Sequence, residues 1–131
     1  MHDEVEFYKA LKLSNSFYNL GINFILRHPN LPKQFIEVDN ISQKNKTIFI
    51  FEGKSSRETS AIIQLKERYT SLKIFKNYYK KSGTFDDYDF IRLFYYSIKK
   101  RIISEFNFKG VKVSSNKFNN LNELALILRN L

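Results

Sequence analysis

Cysteine is absent from this chain of 131 residues, so it builds no disulfide framework and no thiolate zinc site. Proline occurs only twice, as Pro29 and Pro32 in the stretch His28-Pro29-Asn30-Leu31-Pro32. Each proline lacks an amide donor and restricts the residue before it, so this stretch is a turn or loop. No apolar run is long enough to span a bilayer, and no membrane partner is expected. The early Asp3, Glu4 and Glu6 are unlike a signal peptide, which sets the expectation of a cytoplasmic location. Acidic residues are also scarce, 13 Asp and Glu against 22 Lys and Arg, for a formal charge of +9. That excess favours encounters with polyanions, because Lys and Arg replace counterions condensed on nucleic-acid phosphates. Charge names a partner class and leaves the reaction open.

Hydrophobic residues make up 43% of the chain and include 13 Phe and 8 Tyr, which excludes disorder. The length suits a single domain with one core, taken as residues 1–131. From Asp3 to Phe24 the apolar residues Phe7, Leu11, Phe17 and Leu20 recur at helical spacings, with Ser14-Asn15-Ser16 and Gly21 as breaks. One interrupted helix or two short ones are expected there. Phe35-Ile36-Glu37-Val38-Asp39 alternates as a strand, Asn40 to Lys46 is a polar connection, and Thr47 to Phe51 is a β-branched and aromatic strand. A helix begins within Ser55 to Ser60, where hydroxyls can cap it, and its apolar residues are Ile62, Ile63, Leu65, Tyr69, Leu72 and Phe75. Lys66, Arg68, Lys73 and Lys76 place positive charge elsewhere around it, and it frays before Lys80-Lys81-Ser82-Gly83. Phe90 to Ile98 and Ile102 to Phe108 form a strand pair about the basic turn Lys99-Lys100-Arg101, and Asn119 to Leu131 closes as an amphipathic helix. The expected order is helix, strand, strand, helix, strand, strand, helix.

The chemistry concentrates at one strand end, Ile48-Phe49-Ile50-Phe51-Glu52-Gly53-Lys54, with Asp39 ahead of it. An apolar run of this kind is sheet interior, and ionisable groups at its end need a paired or solvated role. Side chains two apart on a strand share a face, so Glu52 and Lys54 point one way, as do Glu37 and Asp39 on the preceding strand. Pairing the strands can bring Asp39 beside Glu52. Magnesium, or manganese in its place, takes hard oxygen ligands and keeps several waters, so Asp39, Glu52 and the Gly53 carbonyl form a plausible open site. A metal there lowers the pKa of a bound water and offsets charge on a phosphorane-like transition state, while Lys54 orients the water or neutralises the phosphate.

Asp39 followed by Glu52-Gly53-Lys54 at a strand end and then by a helix resembles the PD-(D/E)XK nuclease superfamily of restriction endonucleases, Holliday junction resolvases and RecB-type exonucleases. The resemblance covers roughly Phe35 to Ile98, and Val38 stands where the motif's name has proline. It implies an α/β (α+β) fold with a restriction endonuclease-like αβββαβ core, a mixed central sheet flanked by helices. It further implies Asp39 and Glu52 as magnesium ligands and Lys54 as the catalytic lysine. Gln64 and Tyr69 are similar to the Gln-to-Tyr helical motif of RecB-like members, which makes Gln64 a candidate nucleic-acid contact, and the positive net charge adds Lys66 and Arg68 of the same helix. Some members add a glutamate from the first helix, for which Glu4 and Glu6 are candidates, and Glu37 can compete for a ligand role.

The function these features point to is a magnesium-dependent DNA endonuclease acting on phosphodiester bonds. The alternatives are a Holliday junction resolvase-like, structure-specific nuclease and a non-catalytic nucleic-acid-binding or assembly module of nuclease-like fold. The expected partner is DNA, engaged by a homodimer or with a separate recognition subunit or domain, because no helix-turn-helix or zinc module is present to read a sequence. Taken alone, a Glu-x-Lys is more often a surface ion pair, a glutamine such as Gln64 usually faces solvent, and a lysine run is usually a solvated helix face. His2 and His28 show no metal-ligand pattern.

Overall fold

Ile48 and Ile50 pack into one hydrophobic cluster and Phe49 and Phe51 into another, so the strand that carries them is covered on both faces. The computed structural model describes residues 3–30, 35–53 and 57–131. Its elements are α1 (Asp3–Ser14), β1 (Tyr18–Arg27), β2 (Phe35–Lys44), β3 (Thr47–Glu52), α2 (Glu58–Ile74), α3 (Lys76–Lys81), β4 (Phe90–Ser97), β5 (Ile102–Phe106), β6 (Lys112–Lys117) and α4 (Leu121–Arg129). The fold is α+β, a six-stranded mixed sheet in the order β1-β2-β3-β4-β5-β6, flanked by helices. Every neighbouring pair is antiparallel except β3 and β4, which run parallel. A parallel pair cannot be closed by a tight turn, and the chain crosses over through α2 and α3.

The crossover covers one face. Ala61, Leu65 and Leu72 of α2 pack with Ile48, Ile50, Leu93, Tyr95 and Phe106. On the other face Phe7, Ala10 and Leu11 of α1 and Leu124 and Leu128 of α4 pack on Phe49, Phe51, Phe94 and Tyr96. Fully burying each of these aromatic and aliphatic side chains is worth roughly 1.5–3 kcal/mol, which makes β3 and β4 the best-anchored strands.

Three expectations from sequence are corrected. The helical pattern proposed to run to Phe24 stops at Ser14, and residues 18–27 are a strand. Asparagine is the cause: Asn15, Asn19 and Asn23 take left-handed φ values of 51°, 52° and 48°, which a helix cannot contain and which asparagine tolerates. Asn15 ends α1, and Asn19 lies where the β1–β2 register shifts between Tyr18 and Gly21. The polar stretch from Asn40 is strand rather than connection, and only Asn45 and Lys46 turn the hairpin, Asn45 with φ 54°. Two of its buried polar side chains find partners inside the fold, while the buried Ser42 hydroxyl has none among the described residues. Asn40 donates to the Glu4 carbonyl at 3.1 Å, and Gln43 donates to the Asp86 carbonyl at 3.2 Å while accepting from Asn19 at 2.9 Å. Finally, β6 is an edge strand exposed at every position, with no apolar alternation to announce it. Its pairing with β5 defines it, extended by the Ser104–Ser115 hydroxyl contact at 3.0 Å.

Candidate active site

The β2–β3 register pairs Asn40 with Phe51, and one step further sets Asp39 opposite Glu52 at the carboxyl end of β3. Strand periodicity puts Glu52 on the face of Ile48 and Ile50, beneath α2. Both carboxyl groups are buried, Asp39 at 6% and Glu52 at 2% exposure. Asp39 Oδ2 accepts the Gly53 backbone N–H at 3.0 Å. The two carboxyl groups also hydrogen-bond to each other, with Glu52 as the proton holder. Its pKa is pushed up to about 8, first by burial and then by the charge of Asp39, against the opposing pull of Arg68.

Arg68 reaches into this pair from α2. Its Nε lies 3.1 Å from Glu52 Oε1, and its Nη2 donates to the Glu37 carbonyl at 2.6 Å. The Arg68 side chain is only 8% exposed. The expectation that Arg68 belongs to a solvated basic face is corrected: it falls in step with Ala61, Leu65 and Leu72, the buried stripe of α2. That spacing was the available signal. Two ionised carboxylates and one guanidinium carry a net charge of −1, and the proton on Glu52 brings the buried cluster to neutrality.

A second polar layer lies behind the pair. The Tyr96 hydroxyl donates to Asn40 Oδ1 at 2.9 Å. Burial first, and then the charges of Asp39, Glu4, Glu52 and Asp3, raise the Tyr96 pKa above its ordinary value, so the phenol stays protonated. Glu4 is buried at 8% exposure, and its Oε2 has no hydrogen-bond partner among the described residues. Glu6 is on the surface with Lys9, 3.3 Å away. Of the two glutamates on the first helix, the structure therefore turns Glu4 inward. Gly53 is required by close packing: a Cβ there would stand 2.5 Å from two ring atoms of Tyr96, itself fully buried and stacked on Phe7 at 4.0 Å.

The other sequence candidates are dispersed. Lys54 lies outside the described residues. Glu37 is exposed and takes part through its carbonyl. Gln64 is half-buried and lines a groove of about 540 Å3 with Phe35, Glu37, Ser60 and Arg68, the last of which links it to Glu52. Lys66 is exposed on the flank of α2 that faces the β5–β6 turn.

As for a metal, the donor chemistry at the strand end suits a hard cation: the two buried carboxyl groups of Asp39 and Glu52 beside the Gly53 backbone. Among the described residues no three Asp, Glu or His side chains lie close enough together to form a metal cluster by themselves. Water or substrate oxygens would have to complete such a shell. Among the described residues no helix is long and apolar enough to cross a membrane. Comparison of the chain with family models, with curated proteins and with solved structures gives no match.

Proposed function

We propose that the chain is a magnesium-dependent endodeoxyribonuclease built on a restriction endonuclease-like αβββαβ core, with Asp39 and Glu52 as its metal-holding carboxylates. The observation that carries this is the opposed, buried, proton-sharing pair Asp39–Glu52 at the end of β3. Two carboxyl groups forced together out of water are costly, and a divalent cation is the partner that offsets both charges at once. The order α1-β1-β2-β3-α2-β4, with β3 and β4 parallel, agrees with the core that the motif implies.

Asp39 and Glu52 would hold magnesium with the Gly53 carbonyl, and the ion, when bound, supplies a more acidic water and neutralises charge developing on the phosphoryl group. The chain's own residues do the rest. The Gly53 N–H and the β2–β3 ladder fix Asp39, while Arg68 holds Glu52 through Oε1. Lys54, next in sequence, would supply a cation to orient the water or receive the phosphate. The groove lined by Gln64 and Arg68 would offer space for a nucleotide flanking the scissile bond. Purified protein should nick supercoiled DNA with magnesium and not with EDTA. Asp39→Asn and Glu52→Gln should each lose at least about 100-fold in rate, the scale at which charge-stabilising groups act. Undiminished cleavage by both variants overturns the proposal.

A second reading has its own support. Arg68 already occupies Glu52 Oε1 with a buried hydrogen bond, so the same geometry suits a nuclease-like module that binds DNA without cutting it. Salt-sensitive DNA binding with no metal-dependent cleavage selects that reading.

A further inference from the structure

A groove of about 650 Å3 opens at the far end of β3 from Glu52, with Thr47, Tyr69, Lys73, Phe90 and Phe108 among its walls. The separation is about 16 Å along the strand at about 3.3 Å per residue. At its centre Tyr69 of α2 and Phe108 of the β5–β6 turn stack with centroids 5.6 Å apart and planes 19° apart. Each ring carries a lysine: Lys73 Nζ is 5.6 Å from the Tyr69 centroid, and Lys109 Nζ is 5.8 Å from that of Phe108. Lys66 closes the cluster, its Cδ 3.5 Å from where a Cβ on Gly110 would stand.

Two properties set this surface apart. Its outer rings are exposed, Phe108 at 53% and Phe90 at 64%, while Tyr69 is half-buried and seats the stack against the core. Its central cations also lack a counter-charge: Lys66, Lys73 and Lys109 have no carboxylate partner among the described residues, Lys73 donating to the Tyr69 hydroxyl at 3.4 Å, whereas Arg92 and Lys76 in the same groove are paired with Glu105 and with Asp87 and Asp89. Unpaired cations around open π-faces complement a polyanion that itself presents π-faces. A duplex hides its base faces in its own stack, and an acidic peptide has charge without a periodic ring. We propose that this groove binds single-stranded nucleic acid, one base stacking on the Phe108–Tyr69 pair while Lys66, Lys73 and Lys109 take the flanking phosphates. The long lysine stems allow the ammonium groups to leave the rings for the phosphates as the base arrives.

The test is fluorescence anisotropy with a short labelled oligo(dT) in EDTA, where no metal-dependent cleavage occurs. Phe108→Ala should weaken binding about 10-fold and Phe108→Tyr should restore it, the scale of one base–aromatic stack. Lys73→Ala combined with Lys109→Ala should flatten the log–log salt dependence by about 1.4, at roughly 0.7 per phosphate contact. All three positions are exposed, and a melting curve for each variant separates loss of binding from loss of fold. Unchanged affinity in Phe108→Ala, tighter binding of duplex than of oligo(dT), or polyglutamate competing as well as oligo(dT) overturns the assignment. Cleavage of DNA without Phe108-dependent binding removes this groove alone, and Phe108-dependent binding without cleavage removes the nuclease reading alone.

Discussion

Glu52 keeps a proton because ionising it would add a second negative charge to a site with 2% exposure. This ties stability to pH with a definite sign. The carboxyl titrates near 4.5 when ordinary and near 8 when folded, so the native state holds the proton more tightly than the unfolded chain. The stabilisation is therefore complete below about pH 4.5 and is lost as pH rises through 8. Its size is on the order of a few kcal/mol, since each tenfold change in proton affinity is worth about 1.4 kcal/mol. Metal-free protein should lose melting temperature between pH 5 and 9, and Glu52→Gln, which keeps the shape and cannot ionise, should be flatter across that window and more stable at its alkaline end. Parallel pH profiles for the two proteins would show that the site does not hold the proton. Arg68 teaches a related lesson. A cation was expected on the solvated side of its helix, yet it shares the spacing of Ala61, Leu65 and Leu72, and position on the wheel outweighed residue type because a buried carboxylate was there to receive it.

At the scale of elements, the reliable expectations were those with strong local chemistry. The β3 strand, α2, the β4–β5 pair and α4 all fall within or near the segments their patterns predict. α4 shows why: Asn120 Oδ1 accepts the Glu123 N–H at 2.9 Å while Glu123 Oε1 accepts the Asn119 N–H at 3.3 Å, a reciprocal cap legible as Asn-x-x-Glu. Asn120→Ala should cost about 1 kcal/mol by chemical denaturation, and an unchanged midpoint would mean that packing on α1 alone holds the helix. The elements missed were those without a local signal. β1 carries helix-like apolar spacing, and its strand form depends on left-handed asparagines and on pairing with β2, from Tyr18 with Gln43 to Arg27 with Phe35. β6 has a polar sequence throughout and exists because β5 offers it an edge.

For the whole molecule, two clusters share one sheet, so β3 and β4 belong to both cores and are paired on both sides. They should be the last to open. Native-state hydrogen exchange is expected to protect the amides of Ile48 to Phe51 and Leu93 to Tyr96 longest and those of β6 least, and equal protection of β6 and β3 would contradict the two-core account. At this scale the division between sequence and tertiary structure becomes plain. The chain's own letters determined a folded, basic protein without disulfides, the buried run of β3, and the concentration of acid and base at its end, because hydrophobic period and charge act locally. Only the tertiary structure decided that Asp39 stands opposite Glu52, that Arg68 turns inward to them, that Glu4 rather than Glu6 is buried nearby, and that Tyr69 meets Phe108. Each of these depends on strand register or on the seat of a helix over the sheet, and both are set by packing between segments far apart in sequence.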